Sequence, residues 1–304
     1  MGVCSNVVDQ DQLWLAIDVG NTRIKYGWYR HGERRGQAWP ECCDFLATPL
    51  DAYVPVDRLL QGRSAAIQPC LLAGSNPNVI ERVAEEWFRA THQAPWLLAD
   101  RHRLPLTIAV EAPQRVGWDR LLNAVAARQL YPQQSVIVID SGTATTVDAI
   151  SAEGAFLGGA ILPGLALGGR ALHEYTSLLP QLSLHELAAE CPAAVGKNTH
   201  QALHSGLFWG QVGAIRELVT RQCQELGWPV PEPTDPGSPR LLLSGGGSAG
   251  LAPHLPPADY IPSLALQGLV LLAWQTNLQH ATTSAQGCFS RWQPAHGEES
   301  ANHA

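Results

Sequence analysis

Asp140, Ser141, Gly142 and Thr143 stand in a row, with Thr145 and Thr146 just behind them. A carboxylate followed by a glycine turn and threonines suits phosphate. Backbone N–H groups and hydroxyls donate to the oxygens, while the carboxylate holds a cation or orients a water. The same grammar occurs earlier in the chain as Asp18, Val19, Gly20, Asn21 and Thr22. A third constellation is Gly117, Trp118, Asp119 and Arg120. An acid in a first helical turn is ordinarily explained by the positive end of the helix dipole. Arginine is unfavourable at that end, so the pair points instead to a polar site, with Asp119 as a base and Arg120 gripping an anion.

The surrounding pattern predicts what positions these groups. Residues 136–139 are a β-branched apolar run that ends on Asp140, and 145–150 read as the returning strand. Residues 13–17 end likewise on Asp18, and 23–29 return. Each pair turns again, near Gly32 and Gly36 in the first copy and at Glu153-Gly154 in the second, so the chain carries two β-β-β units. A duplication of this kind is an architectural signal. Two such domains facing each other would bring both Asp-tipped loops to one cleft. A strand at 71–75 leads to a helix with Asn76 as N-cap and Pro77 at its first position, running to about Thr91. Its expected inner face is Val79, Ile80, Val83, Trp87 and Phe88. Another strand follows at 95–99, and residues 42–62 resist placement. The Asp119-Arg120 helix should run to about Gln129.

In the second half, the segment from Gly158 to Gly164 is either a tight turn or a loop where backbone approaches a ligand closely. Residues 168–179 read as helix. A long helix should begin near Gly196-Lys197-Asn198-Thr199 and reach Leu226. Gly206, Gly210 and Gly213 inside it cost roughly 1 kcal/mol each relative to alanine, so that face is expected against another helix or a subunit. A strand at 240–244 enters Gly245, Gly246 and Gly247, which form a crossover turn or bare backbone for a purine ring. A short strand at 259–261 and a closing helix at 263–280 complete the plan, with 234–238 the expected loop within the domain. The expected domains are 13–133 and 134–278, flanked by an N-terminal extension at 1–12 and a flexible polar tail at 279–304.

At 304 residues, 45% hydrophobic and 15% charged, the chain buries a sizeable core. A net charge of -7 argues against a general nucleic-acid or membrane-surface binder. Seven cysteines without regular spacing fit reduced thiols, and adjacent Cys42 and Cys43 have poor geometry for a shared metal site. The longest apolar stretch, 264–274, is too short to span a bilayer, and 1–12 has no signal core. A cytoplasmic protein with no nucleic-acid or membrane partner is the expectation. The eleven histidines are scattered, and no Walker A loop, zinc spacing or nucleophile elbow occurs.

Taken in order, these motifs resemble the type III pantothenate kinase family, whose fold is shared by acetate and sugar kinases, Hsp70 and actin. The resemblance covers roughly residues 13–275 and rests on six segments: 18–22, 117–120, 140–146, 158–164, 196–199 and 244–247. It implies an α/β chain of duplicated ribonuclease H-like (actin-like ATPase) domains, each a mixed five-stranded sheet with flanking helices. It also implies ATP-dependent phosphorylation of pantothenate to 4'-phosphopantothenate, the first step towards coenzyme A. By position, Asp18, Val19, Gly20, Asn21, Thr22, Arg23, Ile24 and Lys25 would hold the ATP phosphates, with Thr143 contributing from the second loop. Gly117, Trp118, Asp119 and Arg120 would bind pantothenate, with Asp119 as proton acceptor. Asp140 would bind a monovalent cation, potassium or ammonium, and Mg²⁺ would accompany ATP. Thr199 would contact pantothenate across a homodimer interface. Val110 stands where many members carry a tyrosine.

Two other classes compete. One is a non-catalytic accessory or transcriptional regulator of the same fold, since fold does not guarantee activity. The presence of Asp18, Asp119, Arg120 and Asp140 together favours an enzyme. The other is a kinase or phosphatase of this fold acting on a different small molecule, against which the 117–120 and 196–199 segments argue.

Overall fold

A computed structural model describes residues 13–61, 67–232, 235, 237–278 and 284–294. The expected N-terminal extension, the tail at 279–283 and 295–304, and Gly62 and Thr234 lie outside the described residues. The first strands are β1 (Leu13–Val19), β2 (Arg23–Arg34) and β3 (Gln37–Pro49), followed by α1 (Val56–Leu60), β4 (Ile67–Gly74), α2 (Pro77–Thr91) and β5 (Trp96–Leu98). Next come β6 (Thr107–Ile108), α3 (Trp118–Leu130), β7 (Val136–Ser141), β8 (Ala144–Ile150) and β9 (Ala155–Pro163). The chain continues through α4 (Leu165–Glu174), α5 (Leu184–Ala189), α6 (Thr199–Leu226), β10 (Arg240–Ser244), α7 (Ser248–Leu251) and β11 (Asp259–Tyr260). It closes with α8 (Leu264–Gln275), β12 (Ala285–Gln286) and β13 (Phe289–Arg291).

Two sheets form, with strand orders β12-β13-β5-β4-β1-β2-β3 and β11-β10-β7-β8-β9-β6. Inside each lies the same five-strand block, β3-β2-β1-β4-β5 and β9-β8-β7-β10-β11. The sense also repeats: two antiparallel pairings on one side of the first strand, two parallel pairings on the other. This is the duplicated ribonuclease H-like architecture, an α/β fold. The five-strand expectation describes the block in each unit, and short strands extend the sheets to seven and six.

The chain divides into two compact units, one of residues up to Leu104 with Gly117–Asp119 and Leu266 onward, the other of Pro105–Val116 and Arg120–Ala265. This differs from boundaries at 133 and 278. β6 pairs with β9, drawing the segment before α3 into the second unit, while β13 pairs with β5, returning the chain's end to the first. Within the tail expected to be flexible, the described residues 284–294 carry a hairpin of β12 and β13. Buried Phe289 and Trp292 anchor it, and the Trp292 indole N–H donates to Glu81 at 3.0 Å.

In the first unit, Leu15, Ile17, Ile24, Tyr26, Leu72, Val83 and Trp87 belong to one core. α2 is built as expected: the Asn76 side chain accepts from the Val79 N–H, Pro77 opens the helix, and left-handed His92 ends it. The unplaced stretch after residue 42 becomes the long strand β3 and the short helix α1, for which alternating burial gave no signal because residues 41–46 are exposed on both faces.

The second unit's core joins Ile137, Ile139, Val147 and Leu243 to Phe208, Val212, Ile215, Val219 and Cys223 on α6. Those α6 positions recur every three or four residues, which makes one buried stripe. Gly206, Gly210 and Gly213 lie on the other side of α6, exposed, with nothing within 4 Å of where a Cβ would stand. No helix of this chain covers that face among the described residues. The helix expected at 168–179 starts earlier, at Leu165 after Gly164, and stops at Glu174. The Thr176 hydroxyl there donates to the Leu172 carbonyl, a side-chain bond that competes with continuing the helix. The closing helix likewise ends at Gln275 rather than 280. No described helix is long and apolar enough to cross a membrane.

Candidate active site

The first unit contributes the β1–β2 turn. Asp18 and Lys25 face each other in the ladder, and the Lys25 ammonium lies 3.6 Å from an Asp18 carboxylate oxygen. Asp18 is 4% exposed, so the ammonium partly compensates a charge that burial would otherwise make costly. Val19 is buried, Gly20 closes the turn by donating its N–H to the Arg23 carbonyl at 3.0 Å, and Ile24 returns into the core. Asn21, Thr22 and Arg23 form the exposed tip. β4 ends alongside: the Ser75 N–H donates to the Val19 carbonyl, and the Ser75 hydroxyl donates to Asn21 Oδ1 at 3.2 Å.

Gly117, Trp118 and Asp119 belong to the same unit. A Cβ on Gly117 would sit 2.4 Å from Asp119 Oδ1, so the carboxylate lies back over bare backbone in the first turn of α3. Asp119 is exposed. The Arg101 guanidinium covers the Trp118 ring at 4.7 Å, a cation–π contact that holds the indole.

The second unit holds Arg120. Its Nε donates to both Asp148 oxygens at 3.0 and 3.1 Å, and Nη2 donates to Asp148 as well. The guanidinium also lies over the Phe156 ring at 5.4 Å. The Asp148 side chain is 1% exposed. Room for it comes from Gly159, where a Cβ would stand 2.5 Å from Asp148 Oδ1. The fork expected to face a ligand anion is thus oriented by a carboxylate of its own chain. Val110 packs 3.4 Å from the Cβ position of Gly158. Gly158 and Gly159 lie within β9, so only Gly164 of that segment is a loop glycine.

Asp140 is the last residue but one of β7, 9% exposed, and its Oδ2 accepts from the Asn123 side-chain amide of α3 at 2.9 Å. Three glycine segments close around this turn. Gly142 donates to the Ala144 carbonyl, and Gly164 donates to the Thr143 carbonyl. Gly247 donates to the Ser141 carbonyl at 2.9 Å. A Cβ on Gly164 would meet the Gly142 carbonyl oxygen at 2.3 Å, and one on Gly245 would meet Asp140 Oδ1 at 2.5 Å. Gly245 also has φ +91, the left-handed region that favours glycine. Thr143 is exposed at the tip, while Thr145 and Thr146 are buried. The 140–146, 164 and 245–247 segments, read separately along the sequence, therefore meet at one turn.

Thr199 opens α6 and is exposed. The Asn198 side chain caps the helix by accepting from the Gln201 N–H at 2.9 Å. A Cβ on Gly196 would collide with the first turn of α6, 2.3 Å from the Ala202 nitrogen.

Residues 14–221 match the family model described as type III pantothenate kinase. The chain belongs to the type III pantothenate kinase family. Curated relatives of that name include one from Moorella thermoacetica, 34% identical over 263 residues, covering 84% of this chain and 97% of its own. Another, from Dehalococcoides mccartyi, is 33% identical over 269 residues, covering 85% and 96%. A solved Campylobacter jejuni chain, described as a Baf family transcriptional activator, superposes with a TM-score of 0.52 at 20% identity, covering 87% of this chain and 99% of that one. At that identity the likeness speaks to the fold. Type III pantothenate kinases are phosphotransferases, and this chain carries an Asp-tipped turn in each unit with the Asp119-Arg120 helix start between them in sequence. Two polar residues of the site escaped the sequence reading, Asn123 and Asp148. Each is flanked on both sides by apolar residues, Leu122 and Ala124 around Asn123 and Val147 and Ala149 around Asp148, which is the signal they offer.

Proposed function

We propose that this protein transfers the γ-phosphoryl group of ATP to the terminal hydroxyl of pantothenate, giving 4'-phosphopantothenate on the route to coenzyme A, with Asp119 as general base. In a chain of this family, the observation that carries the reading is an exposed carboxylate lying over Gly117 at the start of α3. Asp119 accepts the hydroxyl proton as that oxygen bonds to the γ-phosphorus, and the bond to the β–γ bridging oxygen breaks to release ADP. Gly117, Trp118 and Arg120 contact pantothenate beside Asp119, and Arg120 meets its carboxylate in the orientation that Asp148 imposes. The turn from Asp18 to Lys25 holds the ATP phosphates through backbone N–H groups, the Thr22 hydroxyl and the Lys25 ammonium, with Thr143 adding a hydroxyl.

Asp140 is proposed to hold the monovalent cation, potassium or ammonium. The residues fit such an ion. Asp140 is a nearly buried hard oxygen donor beside the Ser141 carbonyl, and among the described residues no group of three or more His, Cys, Asp or Glu forms a divalent cage. When bound, that cation would supply positive charge at the Asp140 turn, and Mg²⁺ would arrive with the nucleotide. Thr199 is proposed to reach pantothenate in a homodimer, a state supported by the uncovered glycine face of α6 at 206, 210 and 213.

Asp119→Asn tests the central role. Turnover in an ADP-release assay should fall roughly 10²–10⁴-fold, the usual span for a general base, while ATP affinity by calorimetry stays at the wild-type value. Near-normal turnover in a folded variant would sink the assignment.

A further inference from the structure

The Asn123 side chain is 1% exposed and sits among Leu121, Leu122, Ala124, Val125, Ala126 and Ala127, all buried, on α3. An amide there is an odd choice for packing. Its Nδ2 donates to Asp140 Oδ2 at 2.9 Å, while its Oδ1 is buried with no hydrogen-bond partner among the described residues. A half-paired buried amide costs stability compared with an apolar residue of similar volume, so packing does not account for it.

The two Asp140 oxygens have different surroundings. Oδ2 faces Asn123, whereas Oδ1 faces the glycine loops, 2.5 Å from the Cβ position of Gly245 and 3.9 Å from that of Gly142. We propose that Asn123 is a positioning residue for the cation site at Asp140, pinning Oδ2 so that Oδ1 is presented to the glycine-walled side. This inference rests on the reading of Asp140 as the cation ligand. The chemistry of the donor matters. An arginine or lysine in this place would fix the carboxylate and also cancel its charge. A neutral amide fixes it and leaves the whole negative charge to attract a cation. Without the amide the carboxylate rotates about its own axis, and ordering it again becomes part of the cost of binding the ion.

The test compares wild type, Asn123→Leu, Asn123→Ser and Asp140→Ala, all as full chains. Potassium chloride replaces choline chloride at constant ionic strength, and two quantities are followed. One is the half-saturating potassium for turnover. The other is the half-saturating potassium for the rise in Tm with a non-hydrolysable ATP analogue bound. Leucine keeps the volume and serine avoids overpacking, so folding of either one suffices. In both readouts the Asn123 variants should need about ten-fold more potassium, the scale of one lost charge-assisted hydrogen bond. Their turnover should recover as potassium is raised, with the KM for pantothenate at saturating potassium unmoved. A merely structural role would instead lower Tm by the same amount at every potassium concentration, and would overturn the proposal. If Asp140→Ala loses the potassium response while both Asn123 variants keep wild-type half-saturation, the positioning role fails and the cation reading stands. If Asp140→Ala keeps the wild-type response, the cation reading fails and takes the positioning role with it.

Discussion

The two Asp-tipped hairpins share a strand order and a turn, yet they treat their carboxylates differently. Opposite Asp18 in the ladder stands Lys25, and opposite Asp140 stands Thr146. The first carboxylate thus has an ammonium at 3.6 Å, and the second has a neutral amide donor at 2.9 Å. Two residues further along each returning strand, the first unit has Gly27 and the second has Asp148, which holds Arg120. The walls differ too. Around Asp140 the glycines at 164, 245 and 247 leave no room for a Cβ, whereas Gly20 in the first turn would bring a Cβ only to 3.1 Å of the Arg23 carbonyl. Duplication supplied one scaffold twice. Among the described residues, one turn has its own cation and the other a carboxylate with no ion-pair partner. A turn bearing an ammonium suits anionic phosphate, and a carboxylate fixed by a neutral amide suits a metal cation.

This contrast can be broken at several points, and the largest effect is expected at Asp148. Asp148→Asn removes one partner of a nearly buried ion pair and should destabilise the fold by roughly 3 kcal/mol, measured by urea denaturation. It should also raise the pantothenate KM, because Arg120 loses its orientation. A variant with wild-type stability and KM would show that the pair is idle. Gly245→Ala comes next. It places a side chain at φ +91 against Asp140 Oδ1, so a loss of at least roughly 2 kcal/mol is expected, along with weaker potassium activation. Gly20→Ala in the first turn should stay within about 1 kcal/mol. Equal effects at the two glycines would erase the distinction between the walls. The smallest change should follow Lys25→Met. The Lys25 side chain is 33% exposed, so stability should hardly move once solvent screening is allowed for. The ATP KM should rise several-fold while half-saturating potassium stays put, and a shift in the potassium requirement instead would assign the cation to the wrong hairpin.

Much of the scaffold was legible in the chain. The apolar runs ending on Asp18 and Asp140 became β1 and β7, and Asn76-Pro77 opened α2 as its capping chemistry dictates. The strand-borne carboxylates and the three glycine segments were visible as motifs, and their meeting around Asp140 follows from the parallel pairing of β10 with β7 and the antiparallel pairing of β9 with β8. What was not legible depends on pairing over long sequence separations. β3 is exposed on both faces over 41–46 and carries no periodic signal, and the β12–β13 hairpin looks like a polar tail until Phe289 and Trp292 find the first sheet. Asn123 and Asp148 were passed over because each stands between apolar neighbours, Leu122 and Ala124 in one case and Val147 and Ala149 in the other. Their partners, Asp140 and Arg120, lie 17 and 28 residues away. The face of Gly206, Gly210 and Gly213 was expected against another helix or a subunit, and among the described residues nothing covers it.

The most direct test is pantothenate-dependent ADP release from ATP and Mg²⁺, run on the full chain in potassium and again in sodium at equal ionic strength. Turnover that requires pantothenate and is markedly faster in potassium is the predicted result, as expected of a kinase that holds a cation at the Asp140 turn. Folded protein that releases no ADP in either salt would contradict the account.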